Sequence, residues 1–255
     1  MTVMAHALGD TAALTGRSLR HILRSPDTII TTAVMPIAFL LLFVYVFGGA
    51  IDVGSADYVD YLLPGILLIT IASGVAYTSY RLFLDLQSGM VDRFRSMPIS
   101  RSSVLWAHVL TSVVAIVASL MVVTAVAVLM GFRSSASPLA WLGVTGILLL
   151  FTLAVTWIAV IAGLAAKSVD GASAFSYPLI FLPFISSAFV PTTSMPGPVR
   201  WFAENQPVTS IVDSIRALLT GQSVGSELWI ALTWCLGILI AAWALATAMY
   251  RRRTR

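Results

Sequence analysis

The stretch Asp85-Leu-Gln-Ser-Gly-Met-Val-Asp-Arg-Phe-Arg-Ser-Met-Pro-Ile-Ser-Arg101 decides how the rest of the chain reads. It is the longest charged interruption in an otherwise apolar sequence, and it lies between two long hydrophobic runs. Read as a helix over 82–97, it places Leu82, Leu86, Gly89, Met90, Arg93 and Met97 on one face, and Pro98 stops it. A short amphipathic helix held in water between two membrane-crossing segments suits the docking of a soluble partner.

The composition around this stretch is that of a membrane protein. Hydrophobic residues make up 58% of the 255 and charged ones only 10%, with mean hydropathy +0.93, whereas soluble domains carry about 25% charged residues. The net charge of +4 therefore raises a question of topology, and no nucleic-acid partner is expected. Cys235 is the only cysteine and lies in an apolar run, which leaves no intramolecular disulfide and no cysteine metal cluster. The first apolar run begins near Ile29 after a basic stretch and is too long for a signal-peptide core, so no cleavable leader is expected.

Apolar runs long enough to cross a bilayer lie at about 29–49, 62–80, 104–130, 139–165, 172–190 and 228–250. They predict an all-α integral membrane protein of six transmembrane helices forming one domain over 1–255. Ahead of them, 8–25 reads as an interfacial helix, with Leu8, Ala12, Leu19, Ile22 and Leu23 on one face and Arg17, Arg20 and Arg24 on the other. Pro178 and Pro183 interrupt the fifth run, which is tolerable where neighbouring helices satisfy the freed carbonyls.

Six crossings put both termini on one side. Twelve of the fifteen Lys and Arg residues fall in the N-terminal segment, the 81–103 and 166–171 loops and the tail, leaving Arg133, Arg200 and Arg216 opposite. The positive-inside rule then places both termini and the 81–103 segment in the cytoplasm of a plasma-membrane protein.

The loop at 191–227 is rich in proline (Pro191, Pro196, Pro198, Pro207) and carries Trp201, Asn205 and a predicted helix over 207–220. Val208, Ile211, Val212, Ile215, Leu218 and Leu219 recur on it at helical spacing, with Asp213 and Arg216 on the polar side. It reads as a half-inserted element capping an exit path, or as an amphipathic helix resting on the surface.

The chain contains no Gly-x-x-x-x-Gly-Lys-Ser/Thr loop, no His-Glu-x-x-His and no Gly-x-Ser-x-Gly. No catalytic residue, cofactor or metal site is expected of it. His6, His21 and His108 are scattered, and His108 reads as an interfacial or packed residue. No carboxylate lies well inside a predicted span, which argues against ion-coupled transport.

Two motifs carry a family resemblance. The run Asp85…Gly89-Met-Val-Asp92-Arg93-Phe94-Arg95-Ser-Met97-Pro98-Ile-Ser-Arg101 resembles the signature of ABC type-2 permeases, and among them the daunorubicin/doxorubicin-resistance permeases of actinobacteria. The segment Phe189-Val-Pro191…Met195-Pro196…Trp201…Asn205-Gln-Pro207…Asp213…Arg216 is similar to the same family's stretch before its last span. The chain departs from the pattern twice: Asp85 stands where many relatives have Glu, and Ala107-His108 stands where many have Gly-Lys or Gly-Arg.

The resemblance implies a half-transporter. Two such permeases, identical or related, would pair with two copies of a separate ATPase subunit that binds ATP and Mg. The 82–97 helix would couple them, with Arg93, Arg95 and Arg101 offered for ion pairs and Phe94 and Met97 for an apolar groove. The cargo would be hydrophobic or amphipathic, drugs or lipids, in contact with membrane lipid. A polysaccharide or lipid-linked glycan exporter of the same superfamily, or a non-transporting membrane scaffold, are the other readings.

Overall fold

The computed structural model describes residues 27–49, 58–88 and 101–253. Every element among these residues is helical. α1 (Asp27–Leu41) runs through Pro36 into a six-residue π-helical segment, Leu42–Phe47. α2 (Tyr58–Gln87), α3 (Arg101–Leu129) and α4 (Pro138–Ala165) follow. After the short helices α5 (Val169–Ala174) and α6 (Ser176–Phe181) come 3-10 turns at Leu182–Ile185 and Thr192–Ser194. α7 (Gly197–Asn205), α8 (Pro207–Leu219) and α9 (Glu227–Arg253) complete the chain.

Local sequence accounts for the helix ends. Ser137 caps α4 by accepting the Ala140 amide at 3.2 Å, with Pro138 at the first helical position. α3 and α8 stop at glycines in the left-handed region, Gly131 (φ 110°) and Gly221 (φ 70°). There the amides of Phe132 and Gln222 return to the carbonyls of Ala127 and Ala217, both at 2.9 Å. Hydroxyls inside the apolar helices bond back within their own helix, as Thr70 does to the Ile66 carbonyl (2.8 Å) and Thr152 to that of Leu148 (2.7 Å).

Among the described residues, four helices are long and apolar enough to cross a membrane: α2, α3, α4 and α9. The predicted runs at 29–49 and 172–190 correspond to shorter apolar stretches, Thr32–Phe47 and Val169–Ile185. The second is broken where a single span was expected, because Pro178 and Pro183 each lack an amide proton and crowd the preceding turn. The predicted docking helix also changes character. Its first residues, 82–87, continue α2, since neither Gly nor Pro intervenes. The remainder, 89–97 with Pro98, and the interfacial helix 8–25 lie outside the described residues.

α2 is the organising helix. It touches α1, α3, α4, α5, α6 and α8, and 78% of its most apolar window is buried, against 17% for α9 and 28% for α3. Close approach is built in at Gly163 of α4, where a Cβ would lie 2.9 Å from the Ser79 carbonyl oxygen of α2. Two apolar clusters divide the bundle lengthwise. One joins the Tyr58 end of α2 to α8 and the start of α9; the other gathers Leu82, Leu105, Trp157, Leu164 and Tyr250 at the opposite end.

Candidate functional site

The two motifs of the sequence lie at opposite ends of α2. At the Tyr58 end the chain leaves the broken fifth segment through Ser186–Val190 and folds α7 and α8 back as a hairpin. Prolines set its corners: Pro191 precedes the 3-10 turn, Pro196 precedes α7, and Pro207 opens α8 at a position where a missing amide proton costs nothing. Trp201 is 69% exposed, and the Asn205 amide donates to its carbonyl at 2.8 Å. Arg200 donates to Glu204 at 2.7 Å and holds that carboxyl below its usual range.

α8 is enclosed among α2, α4 and α9. Val208, Ile211, Val212, Ile215 and Leu219 are buried, as expected from their spacing, but so are Thr209, Ser210 and Ser214. The side of α8 that the sequence marks as polar is therefore an interface. Arg216 leads it: the guanidinium donates to Asp213 Oδ1 (2.6 Å), to the Tyr61 carbonyl (3.1 and 3.2 Å) and to the Ser187 carbonyl (2.8 Å). It also lies 3.8 Å from the centre of the Tyr61 ring. Desolvation lowers its pKa, while Tyr61 and Asp213 favour the charged form. Asp213 accepts in turn from the Ser187 hydroxyl at 2.7 Å.

These contacts tie the hairpin, the 186–190 turn and α2 into one knot. Around it the Tyr58 hydroxyl donates to the Phe189 carbonyl (3.3 Å), and Phe189 stacks on Phe184 and on Phe43 of the π segment, with centroids 4.8 and 4.6 Å apart. Gln206, 5% exposed, donates to the Leu182 and Ile185 carbonyls. Tyr61, Ser187 and Gln206 were not singled out by sequence. Their partners lie 155, 29 and 24 residues away, beyond the reach of local periodicity.

At the other end, Asp85 meets His108, with Oδ2 and Nε2 3.2 Å apart. Behind them a cavity of about 30 Å³ is bounded by Thr32, Tyr77, Thr78, Arg81, Thr111 and Ser112, room for roughly two waters. Gly89, Arg93, Phe94, Arg95, Met97 and Pro98 lie outside the described residues. Arg101 begins α3, and its side chain lies outside them too. A second, apolar cavity of about 320 Å³ opens between α2, α3, α4 and α8, lined by Leu63, Leu67, Met121, Trp141 and Leu148.

The chain resembles known proteins. The chain is 28% identical over 255 residues to the daunorubicin resistance ABC transporter permease protein DrrB1 of Streptomyces coeruleorubidus, covering 98% of this chain and 89% of that protein. It is 26% identical over 249 residues to the probable doxorubicin resistance ABC transporter permease protein DrrC of Mycobacterium tuberculosis, covering 96% and 89%. The ABC-2 type transporter family matches residues 10–220, which span both the 82–97 segment and the Arg216 knot, and this multi-pass membrane chain belongs to that family.

Proposed function

We propose that the chain is the permease subunit of an ATP-driven exporter that moves hydrophobic or amphipathic compounds, drugs or lipids, out across the plasma membrane. The observation that carries this reading is the near full-length likeness to permeases named for daunorubicin and doxorubicin resistance. The apolar cavity of about 320 Å³ between α2, α3, α4 and α8 supports it, since its walls suit apolar cargo and offer no charge to a strongly ionic solute. α1 and the broken 169–185 segment supply the fifth and sixth crossings in this reading, with both termini cytoplasmic.

The chain carries no phosphate-binding loop, so ATP and Mg are bound by two copies of a partner ATPase. A second permease, identical or related, completes the transporter. The 82–97 segment, with Asp85, Gly89, Arg93, Phe94, Arg95, Met97, Pro98 and Arg101, seats on that ATPase. The hairpin of Pro191, Pro196, Trp201, Asn205, Pro207, Asp213 and Arg216 closes the outer side. Coupling requires that the ATPase bind the two states of the permease with different affinity, since equal binding shifts no equilibrium.

Gentle solubilisation of the tagged chain from its native membrane tests the reading. Recovery of a nucleotide-binding subunit, with ATP-dependent export of doxorubicin after reconstitution, is the expected result. Recovery of the chain alone, transporting without ATP, overturns it.

A further inference from the structure

We propose that Asp85 and His108 are positioning residues, a cross-link that makes the ends of α2 and α3 move as one body. The proposal rests on the reading of the intervening segment as the ATPase docking element. Neither the apolar spacing nor the family motif assigns His108 a role; its partner supplies one.

The geometry is a ladder. A Cβ on Gly74 of α2 would fall 2.5 Å from Ile116 Cγ1 of α3, so the two backbones approach closely there. Four residues nearer the end of α2, Thr78 donates to the Ser112 hydroxyl at 2.6 Å. Seven further on, Asp85 meets His108 at 3.2 Å. The spacing on α2 (74, 78, 85) and on α3 (116, 112, 108) keeps these contacts on one face of each antiparallel helix. The Asp85–His108 contact is the last of them before the chain leaves α2 at Gln87 and re-enters at Arg101.

The surroundings make that last contact consequential. On the α4 side the two helices are packed through Leu82, Leu105 and Val109. On the α1 side they are backed by the cavity of about 30 Å³, whose lining includes the buried Thr111 hydroxyl, without a hydrogen-bond partner among the described residues. Dense apolar packing is therefore one-sided at this level. Arg81 also lines that cavity, stacked 5.7 Å from the Tyr77 ring centre on its own helix. The Asp85 and His108 side chains are 26% and 17% exposed, so their polar contact is largely sheltered from competing water. These two stems are where the described helices meet the connecting segment. Joined, they act as one lever; separated, they can splay into the cavity and dissipate the motion.

The test uses the complete complex with its ATPase subunit in proteoliposomes. A fluorophore is placed on a Val199→Cys variant of the hairpin, at an exposed position, while the native Cys235 is buried. The readout is its emission change on adding ATP and vanadate. The otherwise unmodified complex is expected to show a shift, Asp85→Asn and His108→Leu to lose most of it, and the exchanged pair Asp85→His with His108→Asp to regain it. Elution of each variant as a single species controls for folding.

Single variants with a full shift, or an exchanged pair as impaired as either single, overturn the proposal. A Gly89→Trp variant separates it from the docking reading. If that variant keeps the shift while the single variants lose it, the docking reading fails and the cross-link stands. If it abolishes the shift while the single variants keep it, the cross-link fails alone.

Discussion

Arg216 shows what one side chain can do when its donors are fixed in a plane. It satisfies a carboxylate and two main-chain carbonyls from separate segments and covers an aromatic ring. Lysine would keep the charge but not the fork, so Arg216→Lys is expected to cost about 2 kcal/mol through lost bonds to buried carbonyls. A lowered thermal midpoint in detergent would show it. Arg200→Lys, at an exposed pair, is expected to leave the midpoint unchanged. The Asp213–Arg216 pair is legible from its spacing alone. The Tyr61 and Ser187 carbonyls are not, because main-chain acceptors carry no mark in the sequence. His108 read only as an interfacial or packed residue for another reason: a lone histidine near a helix start acquires meaning only beside Asp85, 23 positions earlier.

The elements divide in the same way. Long uninterrupted apolar runs announce α2, α3, α4 and α9 plainly. The fifth run was harder, since hydropathy is blind to where a proline-containing stretch breaks. What stabilises that break is Gln206, whose amide bridges the Leu182 and Ile185 carbonyls. Gln206→Leu keeps the approximate volume but removes the donor, and a loss of roughly 1–3 kcal/mol is expected. Earlier thermal unfolding and faster proteolysis between residues 182 and 206 would report it. Asn205→Ala, at an exposed position on the next residue, should change neither. The burial of the polar side of α8 was not legible, because a wheel shows which residues share a face but not what that face meets.

Across the whole molecule, burial is uneven in a way that bears on assembly. α2 is nearly enclosed, whereas α9 and α3 leave most of their apolar windows uncovered for lipid or another subunit. In the proposed topology, a cysteine at Ser55 should be labelled from outside intact cells by an impermeant thiol reagent, and one at Ser100 should not. The reverse pattern would overturn the orientation and leave the packing of the helices untouched. The buried Cys235, 1% exposed, should stay unlabelled in both cases.

The Arg216 knot also sets a timetable for biosynthesis. Tyr61 and Arg216 are 155 residues apart, and at roughly 5–20 residues per second the first waits roughly 8–30 s for the second to be made. Through that interval α2 lacks α8, and until residue 165 is made it lacks α4 as well, so its close approach to Gly163 can form before the knot does. Ribosomes arrested before codon 216 should therefore hold a nascent chain whose first hairpin is inserted but still open to proteases and quality-control factors, and release of the full-length chain should close it.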